Sequence, residues 1–329
     1  MTLLWVLLAI SSTEARVRTT DISNWLRPGD GGWTYLNAVT IQGAARHAAG
    51  PGPTVVLVGP SFLASLLPPR DQLAEAYASA GVASTRVVGL AADALSLEEC
   101  AAIVDKFGAD FDGWFVIHVN RHTLARDMED RESWKRKAGL LVGFHSPVLT
   151  DERVRSGRPI SRPWGIPLLD FPRFYLQSLG GWRPLLFPWK LGFGSRKSER
   201  AQRIPPTQEE ILAQIPPSAS GAQTHSFEVL GRVAERLRAS GRARLAIVEV
   251  PFADEVTLEV QTEAWRAARA TFALQRSAWS QAHGVPWLDI TDKLRARPED
   301  FGDARHVSSA AVTARFTAAV SQWLAAPKP

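Results

Sequence analysis

Three residue types in one order could carry acyl transfer. Ser61 stands in "VVLVGPSFLASLL" (55–67), and Asp303 and His306 stand in "FGDARHVSSAAVTARFTAAVSQWL" (301–324). A serine hydroxyl is a weak nucleophile until a neighbouring base takes its proton. Histidine can be that base, and a carboxylate three residues before it can set the imidazole tautomer and support its charge. Each part also has a plainer reading. A serine between strand and helix can cap that helix, as can a residue of Asp-x-x-His or Ser308 at the start of the last one. Among the other histidines, His118 falls within a strand and reads as a core residue. His122, two residues past Asn120, lines the same mouth or lies on a solvated loop, and His145, His225 and His283 read as loop or helix-end residues. Glu249, at the end of a strand before Pro251, is placed either near the same site or as a structural edge charge, the commoner role.

The elements that would position these groups alternate. Short, apolar, β-branched runs at 54–58, 85–88, 114–119, 245–250 and 285–290 read as strands covered on both faces. Helical patterns occupy 33–49, 72–80, 96–107, 226–240, 260–283 and 308–325, with Gly81 and Gly241 as stops and Ser96 with Glu99 as a capping box. Strand and helix in alternation predict a parallel sheet with helices on both faces, in which functional residues gather beyond the carboxyl ends of the strands. Ser61 follows the first strand, Gly89 to Ala92 the second and Asn120 the third.

The 329 residues suffice for a large core, and Cys100, the single cysteine, excludes an intramolecular disulfide and any cysteine-based zinc site. The net charge of +5 is unevenly spread. Residues 121–203 hold 17 Lys and Arg against 8 Asp and Glu, leaving 21 against 25 elsewhere. The positive excess therefore belongs to one segment, which points to an anionic partner or surface and not to a uniformly nucleic-acid-binding chain. That segment falls within an irregular, Pro-, Trp- and Arg-rich stretch at about 123–223, read as an insertion in a single domain spanning 31–329. Its part at 180–200, "GGWRPLLFPWKLGFGSRKSER", interleaves Trp and Phe with Arg and Lys. Such a surface can cover a core, bind sugar faces, or meet an anionic membrane or an envelope partner. No nucleic-acid module accompanies it. Residues 1–30 begin with an apolar run at 3–10 that is too short to span a membrane and reads as an export leader, an anchor or a buried strand.

The segments "VVLVGPSF", "FVIHVN" and "DARHVSSAAVTARFTAAVSQWL" together resemble the SGNH/GDSL hydrolase superfamily, over about 54–120 and 243–324. The resemblance implies a three-layer α/β/α, flavodoxin-like sandwich around a central parallel sheet. It implies Ser61 as nucleophile, His306 as general base and Asp303 as its orienting partner. Asn120, the N–H of Ser61 and a backbone N–H at Gly89 or Ala92 would form the oxyanion hole. In layout the chain is most similar to the envelope O-acyl-transfer branch, which includes alginate-acetylation and teichoic-acid D-alanylation proteins. That branch implies an acyl-ester or polysaccharide substrate, a periplasmic or membrane-anchored place in the cell envelope, and no metal, nucleotide or redox cofactor. Two departures stand out. Pro60 replaces the family's aspartate, and the oxyanion glycine has no unambiguous match. A non-catalytic envelope protein that keeps the fold, and a cytoplasmic esterase, are the alternative readings.

Overall fold

Strand β1 (Thr54–Gly59) is buried at all six positions, as a run of β-branched and aliphatic residues must be when both faces of its sheet are covered. In the computed structural model, which describes residues 54–68, 70–82, 86–91, 95, 97–108, 112–124 and 224–326, it lies inside a five-stranded sheet. All of these residues belong to one compact unit, Pro51–Asp130, Ser146–Val148 and Ile204–Pro329. The leader at 1–30, the helix expected at 33–49 and the Trp-rich part of the insertion at 180–200 lie outside the described residues.

The remaining strands are β2 (Arg86–Ala91), β3 (Gly113–Val119), β4 (Ala243–Glu249) and β5 (Trp287–Asp289), and the order is β2-β1-β3-β4-β5 with every pairing parallel. The protein is thus of the α/β class. Eight helices accompany the strands among the described residues, the last two following β5: α1 (Ser61–Leu66), α2 (Arg70–Ser79), α3 (Leu97–Phe107), α4 (Arg121–Leu124), α5 (Thr224–Ser240), α6 (Glu263–His283), α7 (Thr291–Leu294) and α8 (Ala310–Ala325). None is long and apolar enough to cross a membrane.

Alternation along the strands divides the core. Val55 and Leu57 of β1, Val116 of β3 and Val248 of β4 cluster with Leu63 of α1 and Phe316 of α8. The intervening residues, Val56, Val58, Phe115 and Ile117, are equally buried from the other side, where α3 and α5 pack on the sheet and on each other.

The chain leaves β1 toward β2 on one side and returns to β3 on the other. The carboxyl ends of β1 and β3 therefore flank a topological switch point, the place where open α/β sheets form a crevice.

Several boundaries differ from the sequence expectation. Strand β2 runs on to Ala91, since Gly89 pairs in register with Leu57 and does not end the strand. Strand β4 stops at Glu249, and the chain turns through a 3₁₀ turn (Ala253–Glu255). Helix α6 begins at Glu263 because the Thr262 hydroxyl caps it by accepting from the N–H of Trp265 (3.2 Å). Helix α8 is preceded by Ser309 and not Ser308, whose N–H and hydroxyl instead donate to the Asp300 carbonyl (2.8 and 3.1 Å).

Candidate active site

A single residue, Pro60, separates the end of β1 from α1. Its carbonyl accepts the first helical bonds, from the N–H groups of Leu63 (2.9 Å) and Ala64 (3.4 Å). Its backbone (φ −74°) is what the pyrrolidine ring imposes, and a residue in front of a helix needs no N–H for the helix itself. Proline is therefore compatible with this turn. Gly59 is required by close approach: a Cβ there would lie 2.9 Å from Leu63 Cβ and 3.1 Å from His118 Cβ. The strand thus runs directly into the helix and sets Ser61 in its first turn.

The Ser61 side chain does not cap that helix. Its Oγ lies 2.7 Å from His306 Nε2. The other ring nitrogen, Nδ1, lies 2.7 and 2.9 Å from the two oxygens of Asp303. Asp303 Oδ1 also accepts from the backbone N–H groups of Arg305 and His306, each at 2.8 Å. Burial pushes the Asp303 carboxyl up, but hydrogen bonds from His306 and from the Arg305 N–H outweigh it and hold the group below the usual carboxylate range. An ionised carboxylate only accepts, so in the neutral imidazole His306 Nδ1 carries the ring proton and Nε2 presents its lone pair to the serine O–H. The imidazole and carboxylate are about one-third exposed, 35% and 37%, so the relay is open to a ligand.

Three features hold the loop that carries this pair. Phe301 and Val307 form an antiparallel bridge, the Gly302 N–H donates to the His306 carbonyl (2.8 Å), and the Ala253 N–H, beyond β4, donates to the Ala304 carbonyl (3.1 Å).

Asn120 follows β3, neighbour of β1, and is buried. Its Oδ1 accepts from the Thr123 N–H (2.8 Å), while its own N–H donates to Thr123 Oγ1 (3.0 Å). It is thus the N-cap of α4, which fixes the amide orientation and leaves Nδ2 as the donor turned away from the cap. Arg121, next in sequence, is buried in an ion pair with Asp254 (2.5 Å), and Trp265 Nε1 donates to the same carboxylate oxygen (2.8 Å). That pair ties the end of β3 to the turn after β4.

Gly89 is inside β2, two residues short of its end, where a methyl would come 2.8 Å from Leu67 Cδ1. Ala92 and His145 lie outside the described residues, and His122 belongs to α4. His118 is a core residue, its Nδ1 3.3 Å from the Val58 carbonyl. Burial lowers its pKa to about 4, against the opposing effect of backbone hydrogen bonds to Val58 and Val116.

Glu249 is not an edge charge. Strand β4 is interior, and Glu249 is fully buried, bonded to Arg269 (2.6 Å), to Arg276 and to Trp287 Nε1 (3.2 Å). Among the described residues no group of three or more His, Cys, Asp or Glu is arranged to hold a metal ion.

Two groups escape the sequence reading. Thr123, the reciprocal partner of Asn120, is foreshadowed by the Asn-x-x-Thr spacing. Ser65, whose Oγ accepts from the Val307 N–H (3.2 Å), carries only the faint signal of a second hydroxyl four residues after Ser61. Compared with protein-family models and with curated proteins, the chain matches none.

Proposed function

We propose that this protein is a serine acyl-ester hydrolase or O-acyltransferase of the SGNH/GDSL type, working through an acyl-enzyme on Ser61. The observation that carries this reading is the continuous relay Ser61 Oγ–His306 Nε2 (2.7 Å) and His306 Nδ1–Asp303 Oδ2 (2.7 Å) at the sheet's switch point. The strand order 2-1-3-4-5 is that of flavodoxin-like sheets, which supports the three-layer SGNH-type sandwich as the finer description of the fold.

In the reaction, Ser61 Oγ attacks the ester carbonyl while its proton passes to His306 Nε2. Charge develops on the carbonyl oxygen. The Ser61 N–H, which donates to no acceptor among the described residues, and Asn120 Nδ2 are the donors assigned to it. The C–O bond to the leaving group breaks, and the leaving oxygen takes the proton from His306. Water or an acceptor hydroxyl then gives its proton to His306 Nε2 as it attacks the acyl carbon, and Ser61 regains its proton as the product leaves.

The envelope or polysaccharide substrate rests on the family resemblance, and the anionic surface or envelope partner on the basic charge of residues 121–203 and the Trp-rich 180–200 segment. The turnover of nitrophenyl acetate tests the chemistry. Wild type should release nitrophenolate above background, and Ser61→Ala and His306→Ala should each lose that activity while keeping the same far-UV circular dichroism. A folded wild type that never turns over small esters would favour the alternative of a non-catalytic protein that retains the fold.

A further inference from the structure

Helix α1 offers two hydroxyls on one face, Ser61 and Ser65, four residues and about one turn apart. They meet consecutive residues of the 301–309 loop. Ser61 Oγ pairs with His306 Nε2 (2.7 Å), and Ser65 Oγ accepts from the Val307 N–H (3.2 Å). The Ser65 O–H itself donates to the Phe62 carbonyl (2.7 Å), so its proton is occupied and its lone pair is aimed at the loop. Among the described residues these are the two hydrogen bonds that join α1 to that loop.

The two bonds differ in permanence. On the proposed acyl-enzyme reading, Ser61 Oγ becomes an ester oxygen and carries no proton once the leaving group has taken it. His306 Nε2 is then also without a proton, because the imidazole is neutral and Asp303 holds the proton on Nδ1. Neither atom can donate, so the Ser61–His306 bond is lost during the acyl-enzyme's lifetime. In that interval His306 must accept a proton from water, and the Ser65–Val307 bond is the one hydrogen bond between α1 and its loop that remains, beside the burial of Val307 in the same apolar cluster as Phe62, Leu63 and Leu66.

We infer that Ser65 is a positioning residue for deacylation: it keeps His306 in place while the acyl group occupies Ser61. This inference rests on the acyl-enzyme reading and adds a requirement specific to one half-reaction. In the free enzyme the Ser61–His306 bond helps seat the loop, so losing Ser65 affects acylation less than deacylation. A residue that merely stabilised the fold would not separate the two rates.

The test uses the full chain and a nitrophenyl N-methylcarbamate, whose carbamoyl-enzyme decays slowly enough to be followed by intact mass. Nucleophilic attack by Ser61 displaces nitrophenolate and leaves the carbamoyl group on Oγ, and water assisted by His306 removes it. Ser65→Ala should acquire the adduct within about two-fold of the wild-type rate but lose it about five-fold more slowly, the effect of one neutral hydrogen bond. Ser65→Thr, which keeps Oγ, should restore decay to within about two-fold of wild type, as expected if that bond is regained. Should Ser65→Ala fail to fold, Ser65→Cys takes its place with the same criteria, because a thiol is a much weaker acceptor.

Equal decay in the variant and wild type overturns the inference, as does equal slowing of both half-reactions or equally slow decay in Ser65→Thr. No adduct on Ser61 of the wild type overturns the acyl-enzyme reading together with this one. An adduct with unaltered decay in the variant overturns this one alone.

Discussion

At the scale of residues, the relay depends on what each atom can donate or accept. Asp303 is held ionised by its N–H partners, which fixes the proton on Nδ1 and frees Nε2 for Ser61. Asparagine at 303 offers either an oxygen or an NH₂ to Nδ1, so the tautomer is no longer enforced while the nucleophile stays. Asp303→Asn should therefore lower kcat by about 10²–10⁴-fold, less than Ser61→Ala, with the melting temperature nearly unchanged. Wild-type turnover in Asp303→Asn would show that the carboxylate does not orient the base. That Ser61, Asp303 and His306 meet was legible in the sequence, because serine, aspartate and histidine in this order are a distinctive set and Asp-x-x-His keeps two of them close along the chain. Ser65 was not legible. Its partner lies 242 positions away along the chain, and a lone hydroxyl in an apolar helix does not reveal such a partner.

At the scale of elements, the site depends on how abruptly β1 becomes α1. Gly59 lets Leu63 and His118 close over the strand end, and Gly59→Ala places a methyl at 2.9 Å from Leu63 and 3.1 Å from His118. Helix α1 must shift outward to relieve that contact. The expected cost is about 1–3 kcal/mol in urea unfolding. Turnover should fall as well, because the shift carries Ser61 away from His306. Full stability together with full turnover would contradict the tight junction.

The five strands were readable from their apolar runs, since a strand buried on both faces shows little else. Their ends were less readable. Gly89 suggested a break but is accommodated inside β2, where the absence of a side chain gives Leu67 room. Glu249 read as an edge charge because the sequence does not show that a fifth strand and two arginines from α6 will enclose it.

At the scale of the whole molecule, burial makes one histidine a source of acid sensitivity. His118 is enclosed between the sheet and Phe316, with its pKa lowered to about 4. In the unfolded chain an ordinary histidine titrates near ~6.5, so between these values the unfolded state binds the extra proton and the folded state does not. The contribution is fully present above the unfolded value and is lost as pH falls toward 4, amounting to roughly 3 kcal/mol. Measured by urea unfolding, the change in stability from pH 7 to pH 4.5 should be less favourable in wild type than in His118→Leu by about this amount, because the opposing contribution of Glu255, whose burial pushes its pKa up to about 8, is common to both proteins. The same pH dependence in both proteins would remove His118 as its source. The proposed envelope location and anionic partner belong to this scale too, but they were read from the leader at 1–30 and the charge of 121–203, of which the described residues include only 121–124.

Covalent capture of the nucleophile is the most direct test of the central claim. The full-length protein would be treated with a fluorophosphonate, its intact mass measured and the modified peptide sequenced. One adduct per chain is expected, on Ser61, formed rapidly in wild type, greatly slowed in His306→Ala and absent in Ser61→Ala. An unmodified wild type, or an adduct that persists undiminished when Ser61 is replaced, would contradict that claim.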